Sequence, residues 1–183
     1  MSAKNSITTS NHINYDEAYN TAKELMQNKS SRNFGFYIIV ALHTGLRVGD
    51  ILSITKTDLE NGYKDFREQK TKKAKRLDFN PKIMEAFKQI ECIGQKVFTS
   101  THNTTFSIQQ INRKLKQVFR YKRKNISSHS LRKSFGRKLY EKYGESEAVL
   151  VKLSQMFNHS SVAITRDYLD ITQEEIADLY LSL

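Results

Sequence analysis

The chain is poor in the residues that staple, break or anchor a fold from outside: 183 residues hold one cysteine, one proline, no tryptophan and seven glycines. A single cysteine, Cys92, excludes an internal disulfide and any cysteine-rich zinc site, which suits a reducing compartment. The lone proline, Pro81, follows Asn80 at a position that opens a helix rather than breaking one. No run of 18 apolar residues occurs, and the start shows no charged-then-apolar signal, so neither a spanning nor a secretory segment is expected. Acidic residues are also scarce. Nineteen Asp and Glu stand against thirty Lys and Arg, a net charge of +11 whose excess recurs in several segments rather than in one tail. That balance speaks to a polyanionic partner and not to a fold. The length fits one domain with a proper core, and a cytoplasmic, nucleoid-associated protein is expected.

Residues 1–13 are polar and aperiodic and read as a flexible lead or linker remnant, with the domain proper over 14–183. From Asn14, Tyr15, Ala18, Ala22, Leu25 and Met26 fall at helical spacing, with Asp16 and Glu17 in the first turn. A second apolar run, Phe34 to Leu42, ends at Gly45, and a short third helix is predicted to carry Arg47, Asp50, Ile51 and Leu52. Between Thr55 and Phe79 the pattern shortens, with a turn signal at Asn61-Gly62 and a basic stretch from Lys70 to Arg76. This predicts a small antiparallel sheet of two or three strands. Helices follow from Pro81, from a Ser107 cap to Val118, over His129–Tyr143, Glu145–Phe157 and Ser161–Leu169, and over 172–181, where Thr172 and Glu175 have capping-box spacing. The expected class is α+β, mostly helical, with one small sheet and no internal repeat.

Three segments carry chemistry. Thr44-Gly45-Leu46-Arg47 sets a guanidinium beside helix N-terminal amides, a good anion site, with Asp50 one turn on to orient it. Alone it equally describes a glycine-terminated helix followed by a surface arginine. His129 and Arg132, three apart, share one helix face and can address one phosphate, although that spacing is common by chance. His159, in Asn158-His159-Ser160-Ser161, precedes Tyr168 by nine residues, past a polar turn. The duller reading of Tyr168 is an aromatic core anchor, which is how Tyr37 and Tyr140 are read; His12 and His43 are taken as ordinary packing or surface histidines. Two arginines, two histidines and a tyrosine suffice to break and rejoin a phosphodiester without a metal. Arginine forks fit phosphate oxygens, histidine moves protons near neutral pH, and tyrosine can form a phosphoryl ester.

In this order the segments resemble the catalytic domain of the tyrosine recombinase (phage integrase) family, from about Asn14 to the C-terminus. The resemblance implies that fold, double-stranded DNA as partner, no metal, no cofactor, and a catalytic set of Arg47, Lys70, His129, Arg132, His159 and Tyr168, with Tyr168 the nucleophile. The family's lysine lies on a turn of the small sheet, where Lys70 fits best and Lys72 and Lys73 are fallbacks. Asn158 stands where the family often has glycine, and asparagine tolerates the left-handed backbone needed there. The family's N-terminal DNA-clamping domain is not recognised in this sequence, so the chain reads as the catalytic domain of a longer integrase of a phage or other mobile element.

The implied cycle joins Tyr168 to a 3′-phosphate and frees a 5′-hydroxyl, and a second 5′-hydroxyl then reverses the step without ATP. Arg47 and Arg132 stabilise the phosphorane, Lys70 protonates the leaving oxygen, His129 moves the tyrosine proton and His159 holds a phosphate oxygen. Lys72, Lys73, Lys75, Arg76, Lys122, Arg123 and Lys124 are expected to hold the DNA backbone, the alternative being a solvated charged face. Family tails often pack into a neighbour, so four protomers on paired DNA sites, and a monomer without DNA, are expected. A type IB topoisomerase and a catalytically silent DNA-binding regulator remain the rival readings.

Overall fold

The computed structural model describes residues 10–67, 74–120 and 125–171, and the side chains of residues 67, 74 and 75 lie outside that description. Lys70, Lys72, Lys73, Lys122, Arg123, Lys124 and the helix expected over 172–181 therefore fall outside the described residues.

Helix α1 (Tyr15–Gln27) starts where the Asn14 side chain accepts the amides of Asp16 and Glu17, both at 3.0 Å. It buries Ala18, Ala22 and Met26 against α2 (Arg32–Thr44). Small residues set that approach: a Cβ on Gly35 would lie 2.7 Å from the Ala22 carbonyl oxygen. Helix α2 is buried almost all round, as a helix apolar on every face must be, and it also packs on α7 (Ser128–Lys142) and α5 (Pro81–Phe87). Gly45 ends α2 at φ +61, and the short α3 (Val48–Leu52) follows with Arg47 as its N-cap.

The stretch from Thr55 was expected to hold only short segments and strands, and here the structure differs. Helix α4 (Lys56–Asn61) opens with a reciprocal cap, in which Thr55 Oγ1 accepts the Asp58 amide at 3.2 Å and Asp58 accepts the Thr55 amide at 2.8 Å. Gly62, at φ +81, ends it and turns the chain into β1 (Tyr63–Arg67). Strand β1 pairs antiparallel with β2 (Ala74–Asp78), Tyr63 opposite Asp78 and Arg67 opposite Ala74. The sheet has two strands among the described residues.

Serine caps open the later helices: Ser107 with Gln110 for α6 (Ile108–Val118), Ser127 with Ser130 for α7, and Ser161 for α9 (Val162–Tyr168). Helix α8 (Glu147–Phe157) starts two residues later than expected, because Gly144 and Glu145 both take positive φ in the turn after α7. A second correction concerns the lead. Ile13 is fully buried, its amide donates to Ser134 Oγ at 3.0 Å, and Asn11 exchanges two 2.9 Å bonds with Asn125, so residues 10–13 belong to the packed domain.

Two apolar clusters result. The larger surrounds α2; the smaller joins α7, α8 and α9 through Phe135, Tyr140, Leu150, Leu153, Phe157, Tyr168 and Leu169. The backbone at Gly45 presses on the Phe135 ring, where an added Cβ would sit 2.2 Å from Cδ1. Gly45→Ala must therefore meet both a left-handed backbone penalty and a core clash, and we predict a loss of about 2 kcal/mol or more in urea unfolding.

Candidate functional site

The two arginines predicted from sequence meet at one oxygen. Arg47, exposed at the N-cap of α3, donates from Nη2 to the Phe157 carbonyl at 3.2 Å. Arg132, 5% exposed on α7, donates to the same carbonyl at 3.0 Å and to the Gly45 carbonyl through its other terminal nitrogen. Its guanidinium carbon stands 4.4 Å from the centre of the Phe157 ring. Phe157 closes α8, so its carbonyl lies at the negative end of that helix, where cations are favoured. Asn158 then takes φ +54 and ψ 49, the left-handed conformation expected of it, and the His159 amide returns to the Ser154 carbonyl at 3.0 Å. Burial lowers the Arg132 pKa to about 10, which leaves it a cation at neutral pH. Asp50 was expected to orient Arg47, yet among the described residues the two make no ion pair, and the carbonyl holds the guanidinium instead.

The histidines and the tyrosine gather beside this oxygen. The Tyr168 hydroxyl lies 3.5 Å from both His129 Nδ1 and the His129 carbonyl oxygen. Its ring meets those of His159 and Phe157 edge-on, centroids 5.1 and 5.6 Å away. His159 Nδ1 is held by Thr165 Oγ1 at 2.9 Å. Tyr168 is 6% exposed, and burial pushes its pKa up to about 12 against the opposing pull of Arg132 and Arg47. His129 reaches solvent, yet desolvation of its ring and then Arg132, Arg47 and Lys133 lower its pKa. Burial, followed by the same two arginines, brings His159 down to about 4. Both imidazoles are thus neutral at pH 7 and the phenol is protonated.

Other predicted residues are not at this centre. Arg76 is committed to its cross-strand partner Asp65, at 3.0 and 3.1 Å, and lies 3.8 Å over the Tyr63 ring. His43 packs edge-on to Tyr15 and Tyr19, its Nδ1 3.3 Å from the Tyr15 hydroxyl; Tyr37 and Tyr140 are buried. Several contributors escaped the sequence reading. Phe157 acts through its backbone carbonyl, which no side-chain motif reveals. Gly136 admits Leu169 and Phe157 to α7, since a Cβ there would lie 2.6 Å from Leu169 Cδ2. Helix α6 exposes Arg113 and Lys116, with Arg120 exposed just past its end, and its Asn112 side chain accepts the Ser128 amide at 2.8 Å, fixing the start of α7 beside His129. The spacing of those three cations was visible in the sequence.

Residues 9–175 match the profile of the phage integrase family. The chain belongs to that family. It is similar to the probable integrase/recombinase YoeC of Bacillus subtilis (strain 168), 26% identical over 177 residues, which cover 90% of this chain and 91% of that protein. Among solved structures it resembles XerA recombinase, with a TM-score of 0.68 at 18% identity over 96% of this chain. It also resembles the XerH site-specific recombinase bound to difH substrate in a pre-cleavage complex, with a TM-score of 0.66 at 18% identity over 95% of this chain. The chain spans 65% of the XerA chain and 54% of the XerH chain. The fold is that of these recombinases. Among the described residues no helix is long and apolar enough to cross a membrane.

The depressed histidines give a pH signature. His43 and His159 titrate near 4 in the folded chain against 6.5 when unperturbed, so the unfolded state takes up protons first as pH falls. We predict that stability is full above about pH 6.5 and declines toward pH 4. Thermal melting across that range checks it, and His43→Gln is expected to flatten the slope.

Proposed function

We propose that this chain is a site-specific recombinase of the integrase type, acting for a phage or other mobile element, which cleaves and rejoins double-stranded DNA through a 3′-phosphotyrosyl link on Tyr168. The observation that carries the reading is the convergence of Arg47 and Arg132 on the Phe157 carbonyl beside the Tyr168 hydroxyl. A phosphate oxygen is charged and accepts from guanidinium more strongly than a neutral carbonyl does. DNA can therefore take over donors that the carbonyl holds at rest, approaching from the exposed Arg47 side.

In the proposed cycle the Tyr168 oxygen attacks the scissile phosphorus and the bond to the 5′-oxygen breaks. The phenolic proton passes to His129, which is neutral and within 3.5 Å. The leaving oxygen takes a proton from Lys70. His159, its Nδ1 occupied by Thr165, offers Nε2 to a non-bridging oxygen. The arginines bear the phosphorane charge, so no metal or ATP is required, and attack by a second 5′-hydroxyl reverses the sequence. Burial opposes ionisation of Tyr168, and the two arginines with His129 act against it. The exposed Arg113, Lys116 and Arg120, with Lys72, Lys73, Lys75, Lys122, Arg123 and Lys124, hold the duplex backbone, and four protomers assemble on paired sites from a monomer free in the cytoplasm. The pre-cleavage complex of XerH with difH supports a DNA substrate for the fold.

A nicked suicide duplex carrying the element's attachment site tests this directly. We predict a covalent protein–DNA band with wild type that Tyr168→Phe abolishes, and a loss of at least about 100-fold in its rate of formation for Arg132→Ala. A band that persists in Tyr168→Phe contradicts the assignment of the nucleophile. Exchange between two duplexes separates recombination from the relaxation expected of a topoisomerase.

A further inference from the structure

Beyond the predicted set, one buried cation acts on the centre only through its charge near His129. Lys133 follows Arg132 on α7, and its side chain is 2% exposed. Its Nζ donates to both carboxylate oxygens of Asp170, at 2.9 and 3.0 Å, and lies 5.4 Å from the centre of the Tyr168 ring. A lysine so deeply enclosed is retained only with a charge partner, and that partner comes two residues after the proposed nucleophile.

The backbone around Asp170 has the same focus. Asp170 takes φ +55, the left-handed position after a helix end that glycine or asparagine usually fills. The Ile171 amide closes back on the Arg166 carbonyl at 3.2 Å, and the Leu169 amide on Thr165 at 3.0 Å. Arg137, one turn along α7 from Lys133, donates to the carbonyls of Leu169 and Asp170 at 2.9 and 3.1 Å. The end of α9 is thus tied to α7 at a side chain and at two carbonyls. Tyr168 lies between this tie and the histidines.

We propose that Lys133 and Asp170 form a positioning pair that fixes the end of α9, and with it the place from which Tyr168 reaches the phosphate. Neither residue touches the reacting atoms. The proposal rests on Tyr168 being the nucleophile and adds how its helix is held. Lys133 is enclosed while the Asp170 carboxylate reaches solvent, and the left-handed Asp170 makes the stop of α9 depend on a charge that glycine would not supply.

The test compares wild type, Lys133→Met, Asp170→Asn and the double variant in two measurements. On the nicked duplex, the rate of covalent complex formation at saturating DNA is expected to fall at least about tenfold in each single variant, while Kd for DNA stays within about twofold. The double variant is expected to be no slower than the slower single one, since both remove the same tie. The second measurement needs no activity: in protein labelled with 3-fluorotyrosine, the fluorine resonance assigned through Tyr168→Phe is expected to shift or broaden in both single variants. Unchanged rates, or rate and binding falling together, overturn the pair, as does an unmoved Tyr168 resonance. Wild type that forms no covalent complex while the resonance moves leaves the pair standing and overturns the nucleophile instead.

Discussion

The carbonyl oxygen of Phe157 is the point on which the site depends. Arg47 comes to it from the turn after α2, Arg132 from the middle of α7, and the oxygen itself from the last turn of α8. Two cations so close repel one another, and Arg132 is nearly enclosed. A bare pair of this kind is costly, and a carbonyl at the negative end of a helix, aided by the Gly45 carbonyl and the Phe157 ring, offsets the cost. The fold thus keeps two guanidinium groups assembled around a neutral acceptor. Because that acceptor is neutral, the excess positive charge remains available to an anion.

A second constraint follows from placing Tyr168 in the small core shared by α7, α8 and α9. Burial there packs the ring and keeps the phenol protonated, while the arginines pull its pKa the other way without prevailing. The same desolvation and charge hold His129 and His159 neutral. A neutral imidazole and a protonated phenol are therefore set side by side, 3.5 Å apart. Gly136 matters to this arrangement because it lets Leu169 and Phe157 lie directly on α7.

Much of this was legible in the residues. Apolar periodicity, the acidic first turn at Asp16 and Glu17, Pro81 at a helix start and the Ser107 cap located most helices, because those signals are local. Helix α4 was missed since its six residues are too few to show a period, although Thr55 and Asp58 carried a cap signal. The burial of Ile13 depends on Ser134, 121 residues away, which no window along the chain can detect. The arginines, histidines and Tyr168 stood out as side chains, and the fold brings Arg47, His129, Arg132, His159 and Tyr168 together. What they gather around is a backbone carbonyl, and Lys133, which ties the end of α9, pairs through space with Asp170; neither has a sequence pattern. Asp50, expected to orient Arg47, makes no ion pair with it among the described residues, since the competing acceptor arrives from α8.

The claim that the arginines sit on the Phe157 carbonyl in order to receive phosphate charge can be tested by removing that charge from the DNA. The decisive measurement is the cleavage rate of Arg47→Ala relative to wild type on two otherwise identical nicked duplexes, one with a normal scissile phosphate and one with a neutral methylphosphonate at that position. If Arg47 serves to neutralise the phosphate, the variant is strongly impaired on the normal duplex and recovers most of the wild-type rate on the neutral one. Equal impairment on both would contradict the claim and assign Arg47 to shaping the site rather than to holding charge.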